Sequence, residues 1–412
     1  MPSAHRRKDH VACGREDRRD RVELPLRTRI LFAAVIPDEP GKRPDPGRPE
    51  EEPDEVEVFA LEGHALLCIG RGRGVLGVRG NAEPERENGQ QREDPCSSDD
   101  HVAFQGIVFP EGSASVVTER GIHVVREHLA KLPPANSLTT EQRRAQYDRA
   151  ERVFPTPADV AIERVKAPER PAEWLQPPGV RADAVVLYLH GGGYVIGSVR
   201  SHRHLAAAIA RAAASRALIL DYRLAPEHPF PAALDDAVAA YQWLLGQGIA
   251  PGRVVLAGDS AGGGLTVATL VALRDRGLPR PAAGVCISPW VDLTCSGASY
   301  ATKATTDPIV TRDGVTALAQ AYVGHGDPKT PLASPLFADL RHLPPLLVQV
   351  GSEEVLLDDA RGLGARARTA GVEVTVEEWP AMVHVWHWFL PMLDEAEHAV
   401  GVIGDFVRAR IG

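Results

Sequence analysis

Cysteine is scarce in this chain, and what there is lacks pattern. Cys13, Cys68, Cys96, Cys286 and Cys295 are odd in number and have neither metal-ligand nor redox spacing, which points to free thiols in a reducing compartment. No stretch approaches the roughly 20 apolar residues that a membrane-spanning helix needs. The short apolar run from Ile30 to Ile36 has acids upstream and no small-residue cleavage site, so it does not read as a secretory signal. A cytoplasmic location without stable membrane insertion is therefore expected. Basic residues are also in deficit, 46 Lys and Arg against 55 Asp and Glu for a net charge of −9. They are mixed with acids throughout, and without a basic face no nucleic-acid partner is expected. No internal repeat is visible. The apolar fraction of 44% is nevertheless ordinary, so a sizeable globular core is within reach.

The N-terminal quarter reads differently from the rest. Arg6-Arg7-Lys8, Glu50-Glu51-Glu52 and prolines at 40, 44, 46, 49 and 53 make a polar tract that cannot bury enough apolar surface to fold. Residues 1–112 are thus expected to be disordered, or to be a non-native extension created by an upstream start codon. A folded domain is expected over residues 113–412. Within it the segment from Thr139 to Val153 looks helical, with Thr139 and Gln142 at capping-box spacing.

From Val160 onward, strand-like runs alternate with helical ones. Val185 to Leu189, Ala217 to Leu220, Val254 to Ala257, Gly284 to Ser288, Leu346 to Val350 and Val372 to Val376 are near-continuously apolar. Between them lie the helical segments Ser201 to Ala214, Ala232 to Leu245, Gly264 to Arg276 and Asp359 to Ala370. Such alternation predicts an α/β fold with a mostly parallel central sheet and helices on both faces.

Gly258-Asp259-Ser260-Ala261-Gly262 follows one of those runs and opens onto a helical segment, so the serine is placed at a strand-to-helix turn. That is the setting of a nucleophile elbow, in which glycines keep side chains away from the neighbouring strand and helix while the serine occupies a strained conformation. G-x-S-x-G alone is weak in a chain with 38 glycines, where a glycine-lined turn is about equally good a reading. Upstream, however, the run Ala184 to Leu189 ends in His190-Gly191-Gly192-Gly193-Tyr194, a loop type that supplies backbone N–H groups to an oxyanion hole. An acidic loop and a histidine loop follow in the order serine, acid, histidine, unlike chymotrypsin or subtilisin.

His190 to Gly193, Asp221-Tyr222-Arg223-Leu224-Ala225-Pro226-Glu227, Gly258 to Gly263 and Met382-Val383-His384 together resemble the hormone-sensitive-lipase-like branch of the α/β-hydrolases, the bacterial family IV esterases. The resemblance runs from about Leu138 to the C-terminus. It implies an α/β-hydrolase fold with an N-terminal helical cap over about residues 115–155, an insertion over about 292–335, and a carboxylic ester hydrolase that uses neither cofactor nor metal.

The resemblance also locates the remaining site residues. Glu354-Val355-Leu356 fills the place where the family usually has an aspartate, one further residue and a leucine, so Glu354 is the expected acid with one extra methylene. Glu353 should point away, and Asp358 and Asp359 fall at a helix start, where caps are the favoured reading. His384 stands after Met382 as the family's histidine does. His190, His202, His204, His228 and His387 read as structural, as do the proline-rich turns Asp221 to Pro231, Ser288 to Leu293 and Asp307-Pro308. Ser260, Glu354 and His384 are then nucleophile, acid and base, with Gly191, Gly192, Gly193 and Ala261 around the oxyanion.

The expected reaction is hydrolysis of a small, short-chain acyl ester through an acyl-enzyme. A lactonase or an acyltransferase would use the same residues, whereas a small-ligand receptor on this fold would be expected to lack a triad member. A homodimer is left open.

Overall fold

The computed structural model describes residues 119–132 and 137–412. The reading of residues 1–112, with Cys13, Cys68 and Cys96, lies outside the described residues. The strands are Ala161–Lys166 (β1), Pro171–Gln176 (β2), Arg181–Leu189 (β3), Ser215–Leu220 (β4), Val254–Asp259 (β5), Ala283–Ile287 (β6), Leu346–Gly351 (β7) and Val374–Trp379 (β8). They form one sheet in the order β1-β2-β4-β3-β5-β6-β7-β8. β1 and β2 are antiparallel to their neighbours, and every pair from β4 to β8 is parallel.

The helices are Glu119–Ala130 (α1), Thr140–Asp148 (α2), Ala150–Val153 (α3), Val199–Ala212 (α4), Ala232–Gly246 (α5), Ala261–Asp275 (α6), Ser299–Thr302 (α7), Arg312–Val323 (α8), Leu357–Thr369 (α9) and Asp394–Ile411 (α10). β3 shows why the sheet needs cover on both sides. Val185, Leu187 and Leu189 belong to a core shared with α5, α6 and α9, while Ala184, Val186 and Tyr188 belong to one shared with α4 and α10. Successive side chains point to opposite faces, so a continuously apolar strand must be covered on both. Each fully buried aliphatic contributes about 1.5–3 kcal/mol relative to exposure.

The fold class is as the sequence predicts: a mostly parallel α/β sheet with helices on both faces. Hydrophobic runs in the sequence do not mark β1, β2 or α10. β1 is an outer strand whose side chains are almost all exposed, so burial leaves no mark on its sequence. β8, at the other edge, begins two residues later than expected and runs on through Glu377-Glu378, because its extent follows its pairing with β7, Val374 opposite Leu346 and Trp379 opposite Gly351. The helix expected over Thr139 to Val153 breaks at Arg149 into α2 and α3, with Thr139 and Gln142 forming the capping box. Among the described residues no helix is long and apolar enough to cross a membrane.

Candidate active site

β3 is the point at which the chain turns in two directions, since β4 pairs along one side of it and β5 along the other. Parallel α/β sheets open a crevice at the C-terminal strand ends beside such a point. His190 to Tyr194 leave β3 there, Ser260 follows β5, Ser288 follows β6, Glu354 follows β7 and His384 follows β8. Every residue the sequence singles out for the site thus lies along one edge of the sheet.

Ser260 has φ 53° and ψ −120°. A non-glycine residue at positive φ is strained by about 1–3 kcal/mol and needs its surroundings to hold it. Here the Ser260 N–H donates to the Ile287 carbonyl at 2.8 Å, and its own carbonyl accepts from Trp290 N–H at 2.9 Å and Gly264 N–H at 3.1 Å. The flanking glycines have no alternative. A Cβ on Gly262 would stand 1.9 Å from the Leu189 carbonyl oxygen, and one on Gly258 2.5 Å from the same atom. Ser260 remains half-buried although the strand before it is fully buried.

Glu354 is 0% exposed and His384 5%, and Glu354 Oε2 lies 2.8 Å from His384 Nδ1. Glu354 Oε1 accepts from Gly351 N–H at 2.6 Å and from the Ser288 hydroxyl at 2.7 Å. Burial pushes the Glu354 carboxyl above its ordinary range, opposed by the hydrogen bonds from His384, Ser288 and Gly351. Burial alone would depress His384, but the carboxylate beside it outweighs burial and raises it. A carboxylate so placed favours the protonated imidazole over the neutral one.

The glycine loop is held from below by Asp259, the residue before the serine. One of its carboxylate oxygens accepts from the Tyr188 hydroxyl at 2.7 Å and from Gly191 N–H at 3.1 Å, and the other lies 3.3 Å from His202 Nε2. Burial acts to raise this carboxyl, yet His202 and Tyr188 hold it below its ordinary value. The Tyr222 hydroxyl donates to the His190 carbonyl at 2.6 Å, so the Asp221 to Glu227 motif supports the loop as expected. Gly191 needs correction as a member of the oxyanion set. Its N–H is engaged by Asp259, and a Cβ there would fall 2.2 Å from Asp259 Oδ2; its role is to let that carboxylate approach. Among the described residues no acceptor meets the Gly192 or Gly193 N–H, and Ala261, first in α6, has an N–H that a helix leaves without an internal partner.

Asp358 and Asp359 also differ from the expected helix caps. The cap position of α9 is Leu356, and no side chain caps it. Asp358 Oδ2 accepts from Ser299 N–H at 2.8 Å, and Asp359 Oδ2 accepts from Val291 and Asp292 N–H at 3.0 and 2.9 Å. Both tie α9 to the segment leaving β6, and burial pushes Asp359 up to about 8. Glu353 turns away towards Lys303 Nζ at 3.6 Å. Asp307 braces the acid loop, accepting from Val355 N–H at 2.9 Å. His387 is buried against Gln349 Oε1 at 2.7 Å, a packing role. Asp259 is a support that the sequence does not single out, because its partners carry no spacing of their own, whereas Ser288 and Asp307 fall in turns expected to be structural, and each holds the acid loop. Among the described residues no group of His, Cys, Asp and Glu could hold a metal ion.

A family model described as the α/β hydrolase fold matches residues 186–388. An acetyl-hydrolase of Streptomyces hygroscopicus is 53% identical over 277 residues, 66% of this chain and 91% of the relative. The chain belongs to the bacterial hormone-sensitive-lipase family of α/β-hydrolase esterases. A putative acetyl-hydrolase, LipR, of Mycobacterium tuberculosis is 37% identical over 62% of this chain and 82% of its own length. The crystal structure of an esterase from the bacterial hormone-sensitive lipase family superposes with a TM-score of 0.69 at 53% identity, covering 73% of this chain and all of that one. As a member of this esterase family, the protein is a carboxylic ester hydrolase, and the strand-end cluster is its candidate active site.

Proposed function

We propose that this esterase cleaves short-chain acyl esters of small alcohols through an acyl-enzyme on Ser260, with His384 as base and Glu354 as the acid that orients it. A serine hydroxyl is a weak nucleophile at neutral pH, so the imidazole takes its proton as the oxygen attacks the ester carbonyl. The same nitrogen then gives that proton to the departing alcohol. Glu354 fixes the Nδ1–H tautomer and stabilises the imidazolium, a role supported by its contact at 2.8 Å. The Gly192, Gly193 and Ala261 amides receive the oxyanion, each donor being worth about 3 kcal/mol in the transition state. Water then repeats the sequence and frees the acid.

The preference for short acyl groups rests on how closely the cap crowds the oxyanion loop. The segment α1 to α3 and the insertion over 292–335 act as that cap. Arg144 of α2 donates to the Val195 and Ala225 carbonyls at 2.8 and 2.9 Å and grips Glu227 through two bonds. From α8, Tyr322 stacks on Tyr194 with centroids 3.7 Å apart, and a Cβ on Gly193 would stand 2.5 Å from Leu318 Cδ1. A cytoplasmic location is the companion reading, supported by Cys286 and Cys295, which are buried free thiols. A series of 4-nitrophenyl esters from acetyl to dodecanoyl tests the substrate class. kcat/KM should be greatest for acetyl to butyryl and fall steadily beyond; a maximum at dodecanoyl would contradict the proposal.

A further inference from the structure

The Ser288 hydroxyl is fully buried and has both of its hydrogen-bonding roles occupied by the catalytic loops. It donates to Glu354 Oε1 at 2.7 Å and accepts from the N–H of Val385, the residue after His384, at 3.1 Å. The residue before it, Ile287, accepts the Ser260 N–H through its carbonyl at 2.8 Å. Ile287-Ser288 therefore touches each of the loops that carry nucleophile, acid and base. This contact comes at a backbone cost, since Ser288 has φ 44° and Val385 φ 49°. Left-handed conformations at non-glycine residues persist where the surroundings enforce them, and they concentrate at functional sites.

We propose that Ser288 is a positioning residue for ester hydrolysis, its hydroxyl locking the Glu354 carboxylate and the His384 loop into one arrangement. A glutamate has one more rotatable bond than an aspartate, so aiming it at an imidazole fixes an additional torsion. Ser288 and Gly351 supply that restraint by occupying Oε1, which leaves Oε2 directed at Nδ1. The bond to Val385 N–H fixes the other partner from the same oxygen. Ser288 is no second nucleophile: it is 0% exposed and its oxygen is already engaged on both sides.

The inference rests on Glu354 being the acid, and the experiment separates the two claims. Ser288→Ala and Ser288→Gly both delete the hydroxyl, but glycine also relieves the positive φ and so protects the fold. On 4-nitrophenyl acetate, each should lose on the order of tenfold to a hundredfold in kcat with KM changed by less than about twofold, the scale of a lost hydrogen bond to a charged group. In a Glu354→Gln background the same substitutions should cost less than about threefold, because groups acting as one unit are not additive. A Ser288→Gly enzyme with wild-type kcat and an unchanged melting curve would overturn the positioning role, as would full additivity with Glu354→Gln. A Glu354→Gln enzyme of undiminished kcat would instead remove the acid assignment, and the role of Ser288 with it.

Discussion

Ser260→Ala is expected to lower kcat for 4-nitrophenyl acetate by on the order of 10⁶-fold, the usual cost of deleting a triad nucleophile. The fold should be unaffected. Alanine keeps the backbone bonds that hold this position, from Ser260 N–H to Ile287 and from Trp290 and Gly264 to the Ser260 carbonyl, and removes only a half-buried oxygen. Circular dichroism melting beside the kinetic assay checks both halves. A variant that keeps more than a few per cent of wild-type kcat is incompatible with Ser260 as nucleophile.

Glu354→Gln should cost up to about 10⁴-fold in kcat. The carboxylate sits between donors on both sides, Gly351 N–H and the Ser288 hydroxyl at Oε1 and the imidazole at Oε2. A carboxamide has one oxygen for two such positions. If the oxygen satisfies Gly351, the NH₂ faces His384 and imposes the tautomer that cannot accept the Ser260 proton; if it faces His384, two buried donors oppose an NH₂. In neither case does an anion stabilise the imidazolium. Asp358→Asn, by contrast, retains an acceptor for Ser299 N–H and should leave kcat within about threefold and stability within about 1 kcal/mol. Both variants assayed on one ester decide the matter, and an inactive Asp358→Asn enzyme with an active Glu354→Gln enzyme would mean the acid is misassigned.

How much of this was legible in the sequence depended on whether a residue's role leaves a periodic or spaced trace. The strands from β3 to β7 are buried on both faces, so their apolar runs announce them. β1, with exposed side chains, has no such trace. The tight turn at Ser260 and the glycine loop are legible because close backbone approach demands glycine, as the 1.9 Å clash at Gly262 illustrates. Gly191 is not an oxyanion donor because its neighbour across the sheet, Asp259, accepts its N–H. No spacing within the motif reports a partner 68 residues away. Asp358 and Asp359 differ for a similar reason: their place at a helix start suggests local capping, but their carboxylates are met by amides of the segment that leaves β6. In the sequence Ser288 is part of a proline turn, and only the convergence of β6, β7 and β8 brings it to Glu354 and Val385.

The central claim is that the ester's acyl group passes through Ser260, and covalent trapping of that oxygen tests it most directly. The enzyme would be incubated with an aryl sulfonyl fluoride, which reacts with an activated serine and cannot be released by the normal deacylation, and then digested and analysed by mass spectrometry. The account predicts stoichiometric loss of esterase activity with a single sulfonyl adduct on the peptide containing Gly258 to Gly262, assigned by fragmentation to Ser260, and no adduct in the His384→Ala variant over the same time. Full inactivation with the adduct on any other residue, or labelling of Ser260 that proceeds equally fast without His384, would contradict it.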